Sequence, residues 1–302
     1  MTTPFIDVAL LTENRYATSS AVEENQYLRN ILRDDQLLSD ALAEFELTSE
    51  RVDWARADTD WTMFRCAVFR TVWDYFDRVE EFSDWLSAVA PRTNLLNSLE
   101  LVRWNIDKHY LAELAKLGIP TVPSIYIECE STIILDELLN ESGWKEVVVK
   151  PCISGGARHT YRVDRNNAIH VQRQVQPLIE SKAMLLQPFL PNIMHEGEDS
   201  LMLFGGKYSH AIRKIAKSGD FRVQDDHGGR VESRVPSHEQ IELAERALSA
   251  CRTTPVYARV DMVRGDDEWL IMELELIEPE LWLRYHPPAA NSFAAEIAKQ
   301  IA

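Results

Sequence analysis

Arg259–Pro279 reads RVDMVRGDDEWLIMELELIEP, two apolar runs on either side of the acidic turn Gly265-Asp266-Asp267. The pattern predicts an antiparallel hairpin, Tyr257–Arg264 against Trp269–Ile277. On the returning strand a period of two puts Leu270, Met272, Leu274 and Leu276 on one face. Ile271, Glu273, Glu275 and Ile277 then lie on the other. With Asp266–Glu268 as a three-residue turn, Asp261 stands opposite Glu273, and three carboxylates share one face. Like charges opposed across strands are destabilising, more so when partly desolvated, and a divalent cation removes that penalty. Hard oxygen donors suit Mg²⁺ or Mn²⁺. A solvated acidic face is the plain alternative; against it, Val260, Met262, Val263 and Ile271 give the hairpin an interior character.

Upstream, Ser200–Phe204 and Lys207–Lys214 flank Gly205-Gly206, a second hairpin signal. Helix Glu239–Cys251 separates the two hairpins and helix Asn291–Ile301 follows them, so the last third is mostly antiparallel. The middle of the chain reads as strand Ile125–Glu128, helix Ile133–Asn140, strand Glu146–Lys150, strand Thr160–Val163, a helix near Val171–Glu180 and strand Ala183–Gln187. That piece has the size of a small lid. The opening hundred residues alternate strands and helices as a doubly wound α/β unit does. Strand Phe5–Leu11 is followed by an amphipathic helix introduced by Asp34-Asp35, carrying Leu37, Leu38, Ala41, Leu42 and Phe45. Strand Arg65–Arg70 then ends in Thr71–Tyr75, where ligands of such sheets bind. Helix Lys108–Gly118 stops at a glycine before the Pro-bounded segment GIPTVP. The expected divisions are 1–118, 119–187 and 188–302.

Several residues around the acidic hairpin have the chemistry to hold phosphates. Lys150 ends the apolar strand EVVVK beside the Ser154-Gly155-Gly156 loop, whose N–H groups can turn inward toward an anion. The loop lacks the spacing of a Walker A motif. Pro188-Phe189-Leu190 is an apolar crossing suited to an adenine ring, and Glu198 can accept hydrogen bonds from ribose hydroxyls. Arg213, Lys214 and Arg222 bring positive charge toward the carboxylates, where it can offset phosphate charge. Taken singly, each has an ordinary structural or surface reading.

The chain has 302 residues, of which 45% are apolar, enough for two or three packed units and against global disorder. A net charge of -16 argues against coating nucleic acid or an anionic membrane. Four scattered cysteines without a CxxC pair argue against a disulfide framework or thiolate zinc site and for a reducing compartment. No stretch approaches a membrane span, and the N-terminus lacks the basic lead-in of a secretion signal, so the expected location is cytoplasmic.

The order of these pieces resembles the ATP-grasp superfamily along the whole chain. The carriers are Lys108, VVVKP at Val147–Pro151, the Ser-Gly-Gly loop, LLQPFL at Leu185–Leu190, EDSLMLFGGKYSHAIRK at Glu198–Lys214, GDFR at Gly219–Arg222 and the hairpin itself. The branch it resembles holds bacterial glutathione synthetase, the ribosomal-S6-modifying glutamate ligases and the O-ureido-D-serine cyclo-ligases that make D-cycloserine. The last are the most similar, through DDQLLSDAL at Asp34–Leu42, the run from Asp58 to Tyr75, FSDWL at Phe82–Leu86, VRWNIDKHYL at Val102–Leu111 and GIPTVPS at Gly118–Ser124. The resemblance implies an ATP-grasp fold: an N-terminal doubly wound α/β domain, a small lid and a C-terminal antiparallel-sheet domain. It implies an ADP-forming carbon–nitrogen ligase that activates a small carboxylate as an acyl phosphate and couples it to a nitrogen nucleophile of the same or a second molecule. Lys108 and Lys150 would contact ATP phosphates, the Ser154–Gly156 loop would close over them, Gln187, Pro188, Phe189 and Leu190 would hold adenine, and Glu198 the ribose. Arg222 would sit at the γ-phosphate, with Arg213 or Lys214 beside it or at the substrate carboxylate. Asp261, Glu273 and Glu275 would ligate two Mg²⁺ ions, although glutathione synthetase has Asn at the third position. Arg70, Thr71, Asp74 and Tyr75 are candidates for substrate recognition. Competing readings are an intermolecular amino-acid ligase, a non-catalytic nucleotide-binding module and a kinase. The oligomeric state stays open, a homo-oligomer included.

Overall fold

The computed structural model describes residues 5–18, 20–21, 25–217 and 229–302. The first sheet is parallel, with β1 (Ile6–Thr12), β2 (Ser49–Asp53), β3 (Phe64–Thr71) and β4 (Asn94–Leu96) in the order β2-β1-β3-β4. Helices α1 (Gln26–Glu44) and α2 (Val79–Val89) cover opposite faces. Val8, Leu10, Cys66 and Val68 pack against α1, and Ala9, Leu11, Ala67 and Phe69 against α2. Burial on both faces is why β1 and β3 are nearly unbroken apolar runs. The polar edge strand β2, SERVD, carries no such signal, and sequence reading passes over it.

Helix α1 starts eight residues before Asp34. The Asn25 side chain accepts the Leu28 N–H at 2.9 Å and caps it. Asp34 and Asp35 are buried mid-helix: Asp34 accepts the Arg284 N–H at 2.9 Å and its guanidinium at 2.7 Å. Asp35 pairs with Arg51 at 2.8 Å and Arg70 at 2.9 Å. Two aspartates in an ion-pair network thus looked like a cap. Phe45, expected on the apolar stripe, is exposed just past the helix end.

Helices α3 (Leu99–Asn105) and α4 (Tyr110–Lys116) lead to an antiparallel sheet of β5 (Ile125–Ile127), β6 (Glu146–Pro151), β7 (Tyr161–Asp164) and β8 (Met184–Pro188). Its order is β5-β8-β6-β7, and α5 (Leu135–Ser142) and α6 (Ala168–Ile179) share its apolar core. After the short α7 (Asn192–His195), β9 (Glu198–Phe204), β10 (Lys207–Ile215), β11 (Arg230–Arg234), β12 (Tyr257–Arg264) and β13 (Trp269–Glu275) form the third sheet, β11-β10-β9-β12-β13. One face packs on α1 and α9 (Ala289–Ile301); the other packs on α3, α4 and α8 (His238–Ser249). Glu198, expected ahead of β9, is its first residue.

The decisive hairpin pairs Asp261 with Glu273, by a route the sequence did not suggest. Arg264 faces Trp269, so Gly265–Glu268 is a four-residue turn, and Met272 is left without a partner as a bulge. The two departures cancel at Glu273. The bulge also exchanges faces. Ile271 packs with Leu274 and Leu276, whereas Leu270 and Met272 pack with Val263. The expected grouping of Leu270 and Met272 with Leu274 and Leu276 is therefore corrected. The GIPTVP segment covers the outer edge of β13: Val122 N–H donates to Ile271 at 3.0 Å, and Ile271 N–H to Pro120 at 2.9 Å.

Candidate active site

A cavity of about 610 Å³ is lined by both antiparallel sheets and by the segments following β1 and β3. That is the size of a small-molecule site. Asp261, Glu273 and Glu275 each offer an oxygen within 4.8 Å of the others. Ser200 donates to Asp261 at 2.6 Å, Arg259 grips it at 2.9 and 2.8 Å, and Lys214 reaches it at 3.0 Å. Burial alone would raise the Asp261 pKa, but Arg259 and Lys214 hold it well below the usual carboxylate range. Glu273 is also lowered: burial opposes this, and Lys108 and Lys150 more than offset it. Glu275, which shares Arg259, is pushed up to about 7 by burial, with Glu273 and Asp261 adding repulsion. Three convergent oxygen donors, one of them this reluctant to ionise beside its neighbours, fit a hard divalent cation.

The alternation of β6 turns Val147, Val149 and Pro151 inward and leaves Val148 and Lys150 on the cavity. Burial pulls the Lys150 ammonium below its ordinary value, and Lys108 adds repulsion. Lys108 donates to the Ser154 carbonyl at 2.7 Å and pairs with Glu273 at 3.0 Å, tying the lid loop to the acidic hairpin. Burial opposes the Lys108 charge, but Glu273 more than restores it. A Cβ on Gly155 would lie 2.6 Å from the Phe76 ring, so the loop's path requires that glycine, while Gly156 at φ +58° takes a left-handed conformation that glycine adopts without strain. Arg158 of the same loop pairs with Asp77, drawing the lid against the N-terminal unit. Gln187, Pro188, Phe189 and Leu190 line the cavity with Val148 and Met272, and Arg162 stacks 3.8 Å from the Phe189 ring centre.

The expected residues divide in three ways. Lys108, Lys150, Ser154, Gly155, Gly156, Gln187, Pro188, Phe189, Leu190, Glu198, Lys214, Asp261, Glu273, Glu275 and Tyr75 all line the cavity. Glu198 is paired with Lys214, and burial still pushes it up to about 7. Arg213, Arg70, Thr71 and Asp74 are directed elsewhere. Arg213 grips buried Asp199 at 2.6 Å, Arg70 holds Asp35, Thr71 donates to Thr12 at 2.6 Å, and Asp74 takes Trp54 at 2.8 Å and Arg78 at 2.7 Å. Their polar groups hold elements together, and of the Thr71–Tyr75 segment Trp73 and Tyr75 line the cavity. Arg222 lies outside the described residues. Sequence reading missed Arg259, Glu278, Tyr16, Tyr27 and Trp73. Arg259 sits two residues before Asp261 on the same face and was open to detection; the aromatic residues come from segments whose convergence no spacing reveals.

Residues 8–97 match the family of N-terminal domains of D-cycloserine synthetase DcsG, and residues 113–265 the ATP-grasp domain of prokaryotic glutathione synthetase. The cycloserine biosynthesis protein DcsG of Streptomyces lavendulae is 32% identical over 276 residues, 87% of this chain and 92% of that protein. A tetrahydromethanopterin:alpha-L-glutamate ligase of Methanosarcina acetivorans is 27% identical over 58% of this chain and 55% of its own. The crystal structure of D-cycloserine synthetase DcsG superposes with a TM-score of 0.86 at 31% identity, covering 98% of this chain and 99% of that one. Among the described residues no helix is long and apolar enough to cross a membrane.

Proposed function

The chain belongs to the ATP-grasp ligases of the D-cycloserine synthetase (DcsG) type, and from that premise we propose that this ATP-dependent ligase closes a ring within one amino-acid-derived substrate of the O-ureido-serine kind. The observation that carries the reading is the convergence of Asp261, Glu273 and Glu275 on one cavity with Lys108, Lys150, Lys214 and the Gly155-Gly156 loop. A divalent cation held by Asp261, Glu273 and Glu275 would supply charge neutralisation to the nucleotide phosphates. Lys108 and Lys150 bind the phosphate oxygens, and the lid loop, latched by Arg158 to Asp77, excludes water that would hydrolyse an acyl phosphate. Gln187 to Leu190 seat adenine against Val148 and Met272. Glu198 takes the ribose with the oxygen that Lys214 leaves free. Lys214 and Arg259 offset charge on the transferring group; for Arg222 at the γ-phosphate the resemblance is the support. The substrate's side-chain nitrogen then attacks its own activated carboxyl and releases phosphate.

Wild-type protein given Mg-ATP and O-ureido-serine alone is expected to release ADP in step with cyclised product, with no dependence on added amine. ADP release only after addition of an amine or second amino acid would favour intermolecular ligation of the glutathione-synthetase kind.

A further inference from the structure

Glu278 lines the cavity three residues past Glu275 but stands outside the three-carboxylate cluster. Its acidic neighbours all have cations: Glu273 has Lys108, Asp261 and Glu275 share Arg259, Glu198 has Lys214, and Glu280 has Arg284. Among the described residues none forms an ion pair with Glu278. What surrounds it is aromatic. Tyr75 lines the cavity beside it, and the Trp73 indole N–H donates to its backbone carbonyl at 2.9 Å. The Tyr16 and Tyr27 rings lie 5.6 and 6.0 Å from the Trp73 ring and 6.2 Å from each other, all three lining the cavity. Glu278 is half-buried with Glu275 and Glu273 close enough to repel its charge, and a cationic ligand relieves that repulsion. Aromatic faces add attraction for such a charge.

We propose that Glu278 receives the α-ammonium of the substrate while Tyr16, Tyr27 and Trp73 wall its side chain, so that the site selects zwitterionic α-amino acids. This rests on the reading that the same substrate's carboxylate is activated beside Asp261 and Glu273. In an α-amino acid the ammonium and carboxylate share one carbon, and Glu278 lines the same cavity as Glu275 and Glu273, near enough for their charges to repel.

The test uses the full chain as wild type, Glu278→Gln and Glu278→Asp. ADP release is measured with O-ureido-serine and with its α-hydroxy analogue, and melting shifts are recorded for each compound with Mg-AMP-PNP present. Glu278→Gln should raise KM for the amino acid by roughly 10- to 100-fold, the size of a charge-assisted hydrogen bond. KM for ATP should stay within about twofold, and the wild-type preference for the amino over the hydroxy compound should vanish in both readouts. Glu278→Asp should recover part of that preference. Loss of kcat with KM unchanged would make Glu278 a proton-transfer group and overturn the proposal, as would a parallel loss for both compounds or unaltered kinetics. If wild type turns over no amino acid at all, with or without amine, the ligase reading fails first and the assignment with it.

Discussion

Asp261 is buried and still ionised because Arg259, Lys214 and Ser200 all reach its two oxygens. Replacing it with Asn keeps the shape and removes the charge that a metal requires. Asp261→Asn and Glu273→Gln should each lower ADP formation by at least about a hundredfold, the scale of a lost metal interaction, while far-UV circular dichroism stays unchanged. Turnover like wild type in both would refute the ligand assignment. His210 sets a different expectation. It is buried on β10 with its ring bonded to the Leu281 carbonyl at 2.8 Å, and burial lowers its pKa to about 4. The folded state therefore binds the proton less well than the unfolded chain, whose histidine titrates at about 6.5. Its contribution is complete above about pH 6.5 and is lost as pH falls toward about 4, by about 3 kcal/mol. Chemical unfolding of His210→Gln should show a shallower loss of stability across that window than wild type. Equal slopes would show that another group governs the acid limb.

At the level of elements, the hairpin β12–β13 shows how far the sequence could be read. Its strands and acidic turn were legible, because alternation and turn chemistry are local, whereas the Asp261–Glu273 pairing came out as expected only because a four-residue turn and a bulge offset each other. The Met272 bulge was not legible, since it is set by packing: Leu270 and Met272 pack with Val122, Phe189, Ile193 and Val263 while Ile271 joins the α3–α4 side. The start of α1 was misread for the same reason, Asp34 and Asp35 answering to arginines more than fifteen residues away. The lid loop allows a direct test. Gly155→Ala puts a methyl on the Phe76 ring and should raise KM for ATP several-fold by holding the lid open; adding Phe76→Ala should restore much of it. If the double variant is no better than Gly155→Ala, the contact with Phe76 is not what the glycine serves.

For the whole molecule, the parallel sheet supplies the aromatic wall, the middle sheet Lys150 and the closing loop, and the third sheet the carboxylates. None of the three holds a complete site alone, so ligand binding should stabilise them together. Mg-AMP-PNP at about a hundred times its Kd should add about 2.7 kcal/mol and raise Tm by several degrees. EDTA, or Asp261→Asn, should remove the shift, and a shift that survives both would mean the nucleotide binds without the cluster. Anomalous diffraction from crystals grown with Mn²⁺ and AMP-PNP reads the cation directly. The account predicts peaks about 2.0–2.3 Å from oxygens of Asp261 and Glu273, beside nucleotide phosphates held by Lys108 and Lys150. Phosphates seated elsewhere, or manganese absent from those oxygens, would contradict it.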